Sequence, residues 1–310
     1  MDADSPCSAG VGGRGRDGRE RAESYGKLRT ANSVDLHADR GRHRSAQAPH
    51  PVVSDDRSDD PYARIADLYE AEHRGWTDDL DLYRALAARA GDPVLELGCG
   101  SGRVAIALAD AGYDVRGIDT SEAMLAIARA NVAGRQLPVG FSCGDMRRYD
   151  SGRGFGLAIC ALDTLLHLQS TGDVLDTMAS VHRVLRAGGL LAFDIVNPTP
   201  DLLAMGDRVV RHQSTFVGPR GTETAHFVSW DLDPEAQTID SMHFYDWLSD
   251  EGLVQRRTAS FRLRYLERDE VEAALQATGF DRLEVYGSVR LDPFEPDSDR
   301  MIFVATKPDP

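Results

Sequence analysis

Between Pro93 and Val196 short apolar runs alternate with stretches of helical period, and that alternation leaves few folds open. Strand-like runs fall at Pro93 to Leu97, Asp114 to Ile118, Val139 to Cys143, Leu157 to Leu162 and Leu190 to Val196. Helical spacing fills the gaps at Arg103 to Asp110, from Glu122 onward, and at Val174 to Leu185. Strand, helix and strand in repeated succession predict parallel pairing with helices on both faces of one sheet. Two amphipathic helices precede the first strand, carried by Tyr62, Ile65, Leu68 and Tyr69 and then by Leu80, Leu82, Tyr83 and Leu86.

The rhythm breaks at Asn197-Pro198. Residues 198–266 read as longer antiparallel strands with turn signals at Gly218-Pro219, Asp233-Pro234 and Asp250-Glu251-Gly252, which predicts an inserted β-layer over one edge of the sheet, on the substrate side. A helix from Arg268 to Ala277 stops at Gly279, and strands at Arg282 to Tyr286 and Met301 to Thr306 close the chain. Residues 1–60 are rich in Gly, Ser, Arg, Asp and His, and such composition buries too little apolar surface to offset its ordering entropy. They are expected to be a disordered tail, with a start codon assigned too far upstream as one explanation, followed by one folded domain over 61–310.

Composition narrows the function. Lys and Arg number 35 against 50 Asp and Glu, a net charge of −15, which repels nucleic-acid phosphates and argues against a nucleic-acid partner. No run approaches the roughly 18 apolar residues that span a bilayer, and no apolar signal core opens the chain, so a cytoplasmic location without membrane attachment is expected. The four cysteines show no two-residue spacing of a zinc or redox motif, and His226 and His243 have no carboxylate constellation beside them in the sequence, so no metal is expected.

The chemistry concentrates in Val94-Leu95-Glu96-Leu97-Gly98-Cys99-Gly100-Ser101-Gly102-Arg103, an apolar strand feeding a glycine turn and then a helix. That succession puts a ligand at the carboxyl edge of the sheet, close to free N–H groups. A dinucleotide fingerprint requires a glycine at the sixth position, and Arg103 stands there. Glu96 would repel a pyrophosphate yet can accept bonds from an ammonium group or a neighbouring backbone. Asp119 ends the second strand, the place from which a carboxylate bonds ribose hydroxyls. Asp145, in Cys143-Gly144-Asp145-Met146, can take an exocyclic amine or cap the turn that follows. An amino-acid end, a ribose and an adenine together describe S-adenosylmethionine.

On these motifs the chain resembles the class I S-adenosylmethionine-dependent methyltransferases, over residues 61–200 most closely and to Lys307 in strand order. The resemblance implies a Rossmann-like sheet of seven strands, parallel but for one antiparallel strand, and S-adenosylhomocysteine as the product. It places Glu96, Gly98, Cys99 and Gly100 around the methionine moiety, Asp119 on the ribose, and Thr120, Met124, Asp145 and Met146 about the adenine, with Leu162 at the end of the fourth strand. Tyr69, in Ile65-Ala66-Asp67-Leu68-Tyr69-Glu70, matches a tyrosine that closes over the cofactor in small-molecule members, where Asp is usual at the site of Glu70. The Tyr69 helix, Leu166-His167-Leu168 and Gly144-Asp145-Met146-Arg147 are similar to amino-sugar N,N-dimethyltransferases.

The resulting expectation is methyl transfer to nitrogen or oxygen of a small molecule by a monomer or homodimer. His167, whose unperturbed pKa near ~6.5 suits a base at neutral pH, is the candidate catalytic residue with Tyr69, and a structural histidine is the alternative. Tyr69 fits core packing equally well. Asp163 serves catalysis or caps the next helix, and Trp76, Trp230, Tyr245 and Trp247 line an acceptor pocket or form the core beneath the inserted layer. The rival functions are methylation of a protein or RNA, a non-catalytic protein that keeps the cofactor fold, and a nicotinamide dehydrogenase.

Overall fold

The computed structural model describes residues 60–309 apart from Arg153; the expected tail, save Asp60, lies outside the described residues. In chain order the elements are α1 (Ala66–His73), α2 (Leu80–Ala90), β1 (Val94–Leu97), α3 (Arg103–Asp110), β2 (Val115–Asp119), α4 (Glu122–Asn131), β3 (Val139–Cys143) and β4 (Phe155–Cys160). They continue with α5 (Thr171–Val184), β5 (Leu185–Val196), α6 (Pro200–Leu203), β6 (Arg211–Val217), β7 (Glu223–Asp233), β8 (Thr238–Leu248), β9 (Val254–Arg264), α7 (Arg268–Ala277), β10 (Asp281–Tyr286) and β11 (Arg300–Thr306). Short 3-10 turns follow β3 at Met146–Arg148 and β4 at Thr164–His167.

The main sheet has seven strands in the order β10-β11-β5-β4-β1-β2-β3. β1, β2, β3, β4 and β5 pair in parallel, and β11 runs antiparallel to both β5 and β10, the predicted topology. Both faces are covered, so apolar residues run along the inner strands such as β4 and β11, and their alternation sorts them into two cores. Leu95, Leu97, Phe193 and Phe303 join the core that holds α5 and α7, while Val94, Leu157, Ala192 and Val304 join the one under α2 and α3. Phe193 and Phe303 lie opposite each other across β5 and β11 with ring centroids 5.0 Å apart.

Two boundaries differ from the sequence expectation. β4 ends at Cys160 rather than Leu162, because Leu162 and Asp163 adopt left-handed φ of 51° and 60° and turn the chain away. β5 begins at Leu185 rather than Leu190: Gly188 and Gly189 read as a break, yet the strand passes through them with a register irregularity against β4.

The inserted layer is a separate four-stranded antiparallel sheet, β6-β7-β8-β9. It does not extend the main sheet. Its inner face packs on α1, where Ile65 and Leu68 meet Tyr245, Ala259 and Phe261, and β9 lies against the Thr164–His167 turn. Turn and helix both stand at the carboxyl end of the parallel strands, so the small sheet caps the edge at which this topology places ligands. Among the described residues no helix is long and apolar enough to cross a membrane.

Candidate active site

The turn between β1 and α3 is built from left-handed backbone. Gly98, Gly100 and Gly102 have φ of 61°, 53° and 84°, conformations that cost L-residues energy and cost glycine none. A Cβ on Gly98 would stand 2.3 Å from Thr164 Cγ2, so the turn also presses on the loop after β4. Asp119, at the tip of β2, clamps this turn. Its Oδ2 accepts the Gly100 N–H at 2.8 Å and its Oδ1 the Ser121 N–H at 2.8 Å. Burial raises the Asp119 pKa, and these two N–H bonds restrain the rise.

Glu96 is buried at 3% exposure, and its Oε2 accepts the Ala105 N–H of the first turn of α3 at 2.7 Å. Of the two partners open to it from sequence, the backbone is the one found. In a dinucleotide fold the start of this helix receives the pyrophosphate. Here the Glu96 carboxyl fills that seat and takes the helix-start N–H, which disfavours a phosphate ligand on space. Burial pushes the Glu96 carboxyl up to about 8, against the pull of Arg103 and the Ala105 N–H.

The remaining sequence candidates are spread around this centre. Met124 is buried, its Cε only 3.2 Å from where a Gly100 Cβ would stand, and Ser121 Oγ caps α4 by accepting the Met124 N–H at 3.2 Å. Thr120 is exposed at the rim. Cys99 is buried against Gly117, its thiol pKa raised by that burial, and acts as filler. Asp145 caps the turn after β3, accepting the Arg147 N–H at 2.9 Å, and also binds the Arg147 and Arg148 guanidinium groups. The side-chain bond from Arg147 holds its pKa at about 2. Met146 is half-buried beside it.

After β4 the Leu162 N–H donates to Asp194 Oδ1 at 2.9 Å and the Asp163 N–H to the Asp194 carbonyl at 3.2 Å, bonds that hold two non-glycine residues in a left-handed turn. Asp163 does not cap the following turn. Its Oδ1 accepts the Val196 N–H and the Arg300 guanidinium, and this ion pair outcompetes the cap. Asp194 also accepts the Tyr83 hydroxyl at 2.6 Å and pairs with Arg300, so one buried carboxylate ties α2, β11 and the post-β4 loop together.

A family described as "Methyltransferase domain" matches residues 94–189, the segment from β1 into β5 that carries this site. YqeM of Bacillus subtilis (strain 168), which bears a provisional methyltransferase name, is 30% identical over 215 residues, covering 69% of this chain and 83% of YqeM. The chain belongs to the class I S-adenosylmethionine-dependent methyltransferases. The CcbJ methyltransferase from Streptomyces caelestis superposes on this methyltransferase with a TM-score of 0.66 at 26% identity, over 80% of this chain and 98% of CcbJ. CalS10 of Micromonospora echinaspora, described as an amino pentose methyltransferase and solved with S-adenosylmethionine bound, gives 0.61 at 23% identity over 77% and 96% of the two chains, a likeness of fold.

In this methyltransferase α1 stands between the glycine turn and the cap sheet. Glu70 is buried and its Oε1 accepts from Asn131 Nδ2 at 3.1 Å, while the same Asn131 amide reaches the Ser101 carbonyl. The longer side chain at this position, where Asp is usual, thus pins α1 to α4 and to the turn. Tyr69 stacks on His73 with centroids 4.0 Å apart and meets Tyr62 edge-on at 5.5 Å. Its hydroxyl pKa is raised by burial, with the Arg103 charge opposing and Glu72, Asp119 and Asp163 adding to the rise. Tyr69 therefore sits within electrostatic reach of both the Asp119 clamp and the post-β4 loop.

His167 lies beneath that loop with Nε2 3.1 Å from the Tyr62 hydroxyl, and Tyr62 and Phe261 pack against its ring. The free-histidine pKa assumed from sequence does not hold, because burial lowers it to about 4 and the ring is a weak base. The sign is definite. A histidine with a depressed folded pKa contributes stability above its unfolded value of 6.5 that is lost as pH falls toward 4. His167→Gln, which keeps a partner for Tyr62, is expected to flatten the loss of melting temperature between pH 6.5 and 4.5. Parallel acid limbs in variant and wild type would show that His167 does not carry it.

Of the aromatic candidates, Tyr245 is core at 1% exposure, stacked on His226 at 4.2 Å, and Trp247 packs half-buried beside it under Arg257. Trp230 and Trp76 are half-buried. The sequence reading passed over Arg103, whose guanidinium forms a two-pronged pair with Asp79 at 2.6 Å, and the Asp194–Arg300 hub. It also passed over Glu72 and His73 on α1. An acidic and a basic residue beside Tyr69 were the available signal for those two.

Proposed function

We propose that the protein transfers a methyl group from S-adenosylmethionine to nitrogen or oxygen of a small molecule. The observation that carries the reading is the pairing of a carboxylate plug at the start of α3 with a carboxylate clamp on the glycine turn. Such a site fits a cationic amino-acid end and an uncharged ribose diol, and rejects a pyrophosphate. Glu96, a buried carboxyl whose pKa burial pushes up to about 8, matches the α-ammonium side; Gly98, Cys99 and Gly100 give it room. Each Asp119 oxygen keeps a lone pair for a ribose hydroxyl. Thr120, Met124, Asp145 and Met146 stand on the adenine side, and Leu162 at the edge where transfer takes place.

When bound, S-adenosylmethionine supplies an electrophilic methyl on a sulfonium. The chain's own work is then to align the acceptor and keep water out. Tyr69 closes the cleft from α1, and the cap sheet closes it from above through Phe261, which packs on Tyr62 and on His167 of the post-β4 turn. A cleft roofed by packed aromatic rings suits a small acceptor better than a folded protein or RNA, and the CcbJ likeness is compatible with this. The test is transfer of labelled methyl from S-adenosylmethionine to a library of small amines and alcohols, to whole protein and to RNA. Label in small molecules is expected; label only in protein or RNA would overturn the reading.

A further inference from the structure

Glu72 is a charged side chain without a use in the cofactor site. It projects from α1 three residues beyond Tyr69, and its side chain is only 10% exposed. Its Oε1 accepts two bonds, from Ser214 Oγ on β6 and from His226 Nδ1 on β7 at 2.9 Å. Its Oε2 is buried and takes no donor among the described residues. Burial pushes this carboxyl upward, but the hydrogen bond from His226 leads the contributions that bring its pKa below the ordinary value, so the group is ionised at neutral pH. A buried carboxylate oxygen left bare keeps an uncompensated desolvation penalty unless something donates to it.

The chain behind Glu72 fixes its orientation. His226 Nε2 faces His243 Nδ1 at 2.9 Å, and His243 Nε2 faces Ser241 Oγ at 2.8 Å. One order gives every ring nitrogen a partner: Ser241 O–H donates to His243, His243 Nδ1–H to His226, and His226 Nδ1–H to Glu72. Burial holds the His243 pKa at about 3, in keeping with that order. The two histidines spend their facing nitrogens on each other, and no cluster disposed to hold a metal ion occurs among the described residues.

We propose that Glu72 is the specificity-determining residue for the methyl acceptor: its free Oε2 receives an N–H of an amine, and Ser214, His226 and His243 are positioning residues that aim it. The inference rests on the methyltransferase reading above. Its location fits, because the hydrogen-bonded chain from Glu72 runs through His226 to His243, whose ring packs edge-on against Phe261, and Phe261 packs in turn on Tyr62 and His167 over the post-β4 turn.

The step balances. The amine arrives as free base, its excess proton left in water; its lone pair forms the new N–C bond as the C–S bond breaks and the electron pair of that bond returns to sulfur. Positive charge passes from sulfur to nitrogen, which keeps its protons and is stabilised by the adjacent carboxylate as the charge grows. The N-methylammonium product sheds a proton to water on release. An alcohol would develop no lasting cation, so Glu72 favours nitrogen over oxygen.

The test uses the full chain saturated with S-adenosylhomocysteine, titrated calorimetrically with a panel of cyclic primary amines and their matched alcohols. Wild type is expected to bind amines at least about 30-fold more tightly than the alcohols. Glu72→Gln should abolish that preference while S-adenosylhomocysteine and alcohol affinities stay within about twofold, a split that a merely structural defect would not produce. Ser214→Ala, a milder change, should narrow the preference severalfold. An unchanged preference in Glu72→Gln, or none in wild type, overturns the proposal. Failure of wild type to bind S-adenosylhomocysteine at all would instead overturn the methyltransferase reading on which it stands.

Discussion

Asp119→Ala is expected to raise the dissociation constant for S-adenosylmethionine by about 100-fold or more. The Asp119 carboxylate accepts two backbone N–H groups, one from the glycine turn and one from the start of α4, and each bond to a charged acceptor is worth roughly 1.5–3 kcal/mol. Without them the Gly100 N–H loses its partner, the turn loses its clamp and the ribose loses its acceptor. A loss of about 2.8 kcal/mol in binding is a factor of about 100. Asp119→Asn keeps one oxygen and should fall between, at about tenfold. Isothermal titration of variants that melt within a few degrees of wild type measures this. An alanine variant with wild-type affinity would remove Asp119 from the site.

Arg300→Met is expected to destabilise the fold by about 3 kcal/mol. The guanidinium is the shared cation of Asp163 and Asp194, and Asp194 is 2% exposed. Removing one partner of a buried pair leaves uncompensated charge, which costs about 3–5 kcal/mol. The lower end applies because Asp163 is partly exposed. At roughly 2–4 °C per kcal/mol for a domain of this size, melting should fall by about 10 °C. The same loss frees the Leu162–Asp163 turn, so methyl transfer should decline more than stability alone accounts for. A melting temperature within about 2 °C of wild type would contradict this view of the hub.

The parallel sheet was legible because its strands, covered on both faces, carry continuous apolar runs, and the glycine turn because left-handed backbone selects glycine. Glu96 and Asp119 were legible for a related reason: each stands near the carboxyl end of one of two adjacent parallel strands, β1 and β2, so strand order reports spatial proximity. Where that proximity fails, the reading fails with it. Asp163 was expected to cap its own turn, but it meets Arg300, 137 residues away. Glu72 and His226 are 154 residues apart and meet only because the cap sheet folds back onto α1. The His167 pKa depended on burial, which no local pattern encodes. Asp145 shows the converse case, since the local cap open to it from sequence is the contact it makes.

The most direct measurement is calorimetric titration of the wild-type protein with S-adenosylmethionine and, separately, with NAD. The carboxylate plug on α3 and the Asp119 clamp predict micromolar binding of S-adenosylmethionine and none of NAD. Binding of NAD in its place would contradict the account.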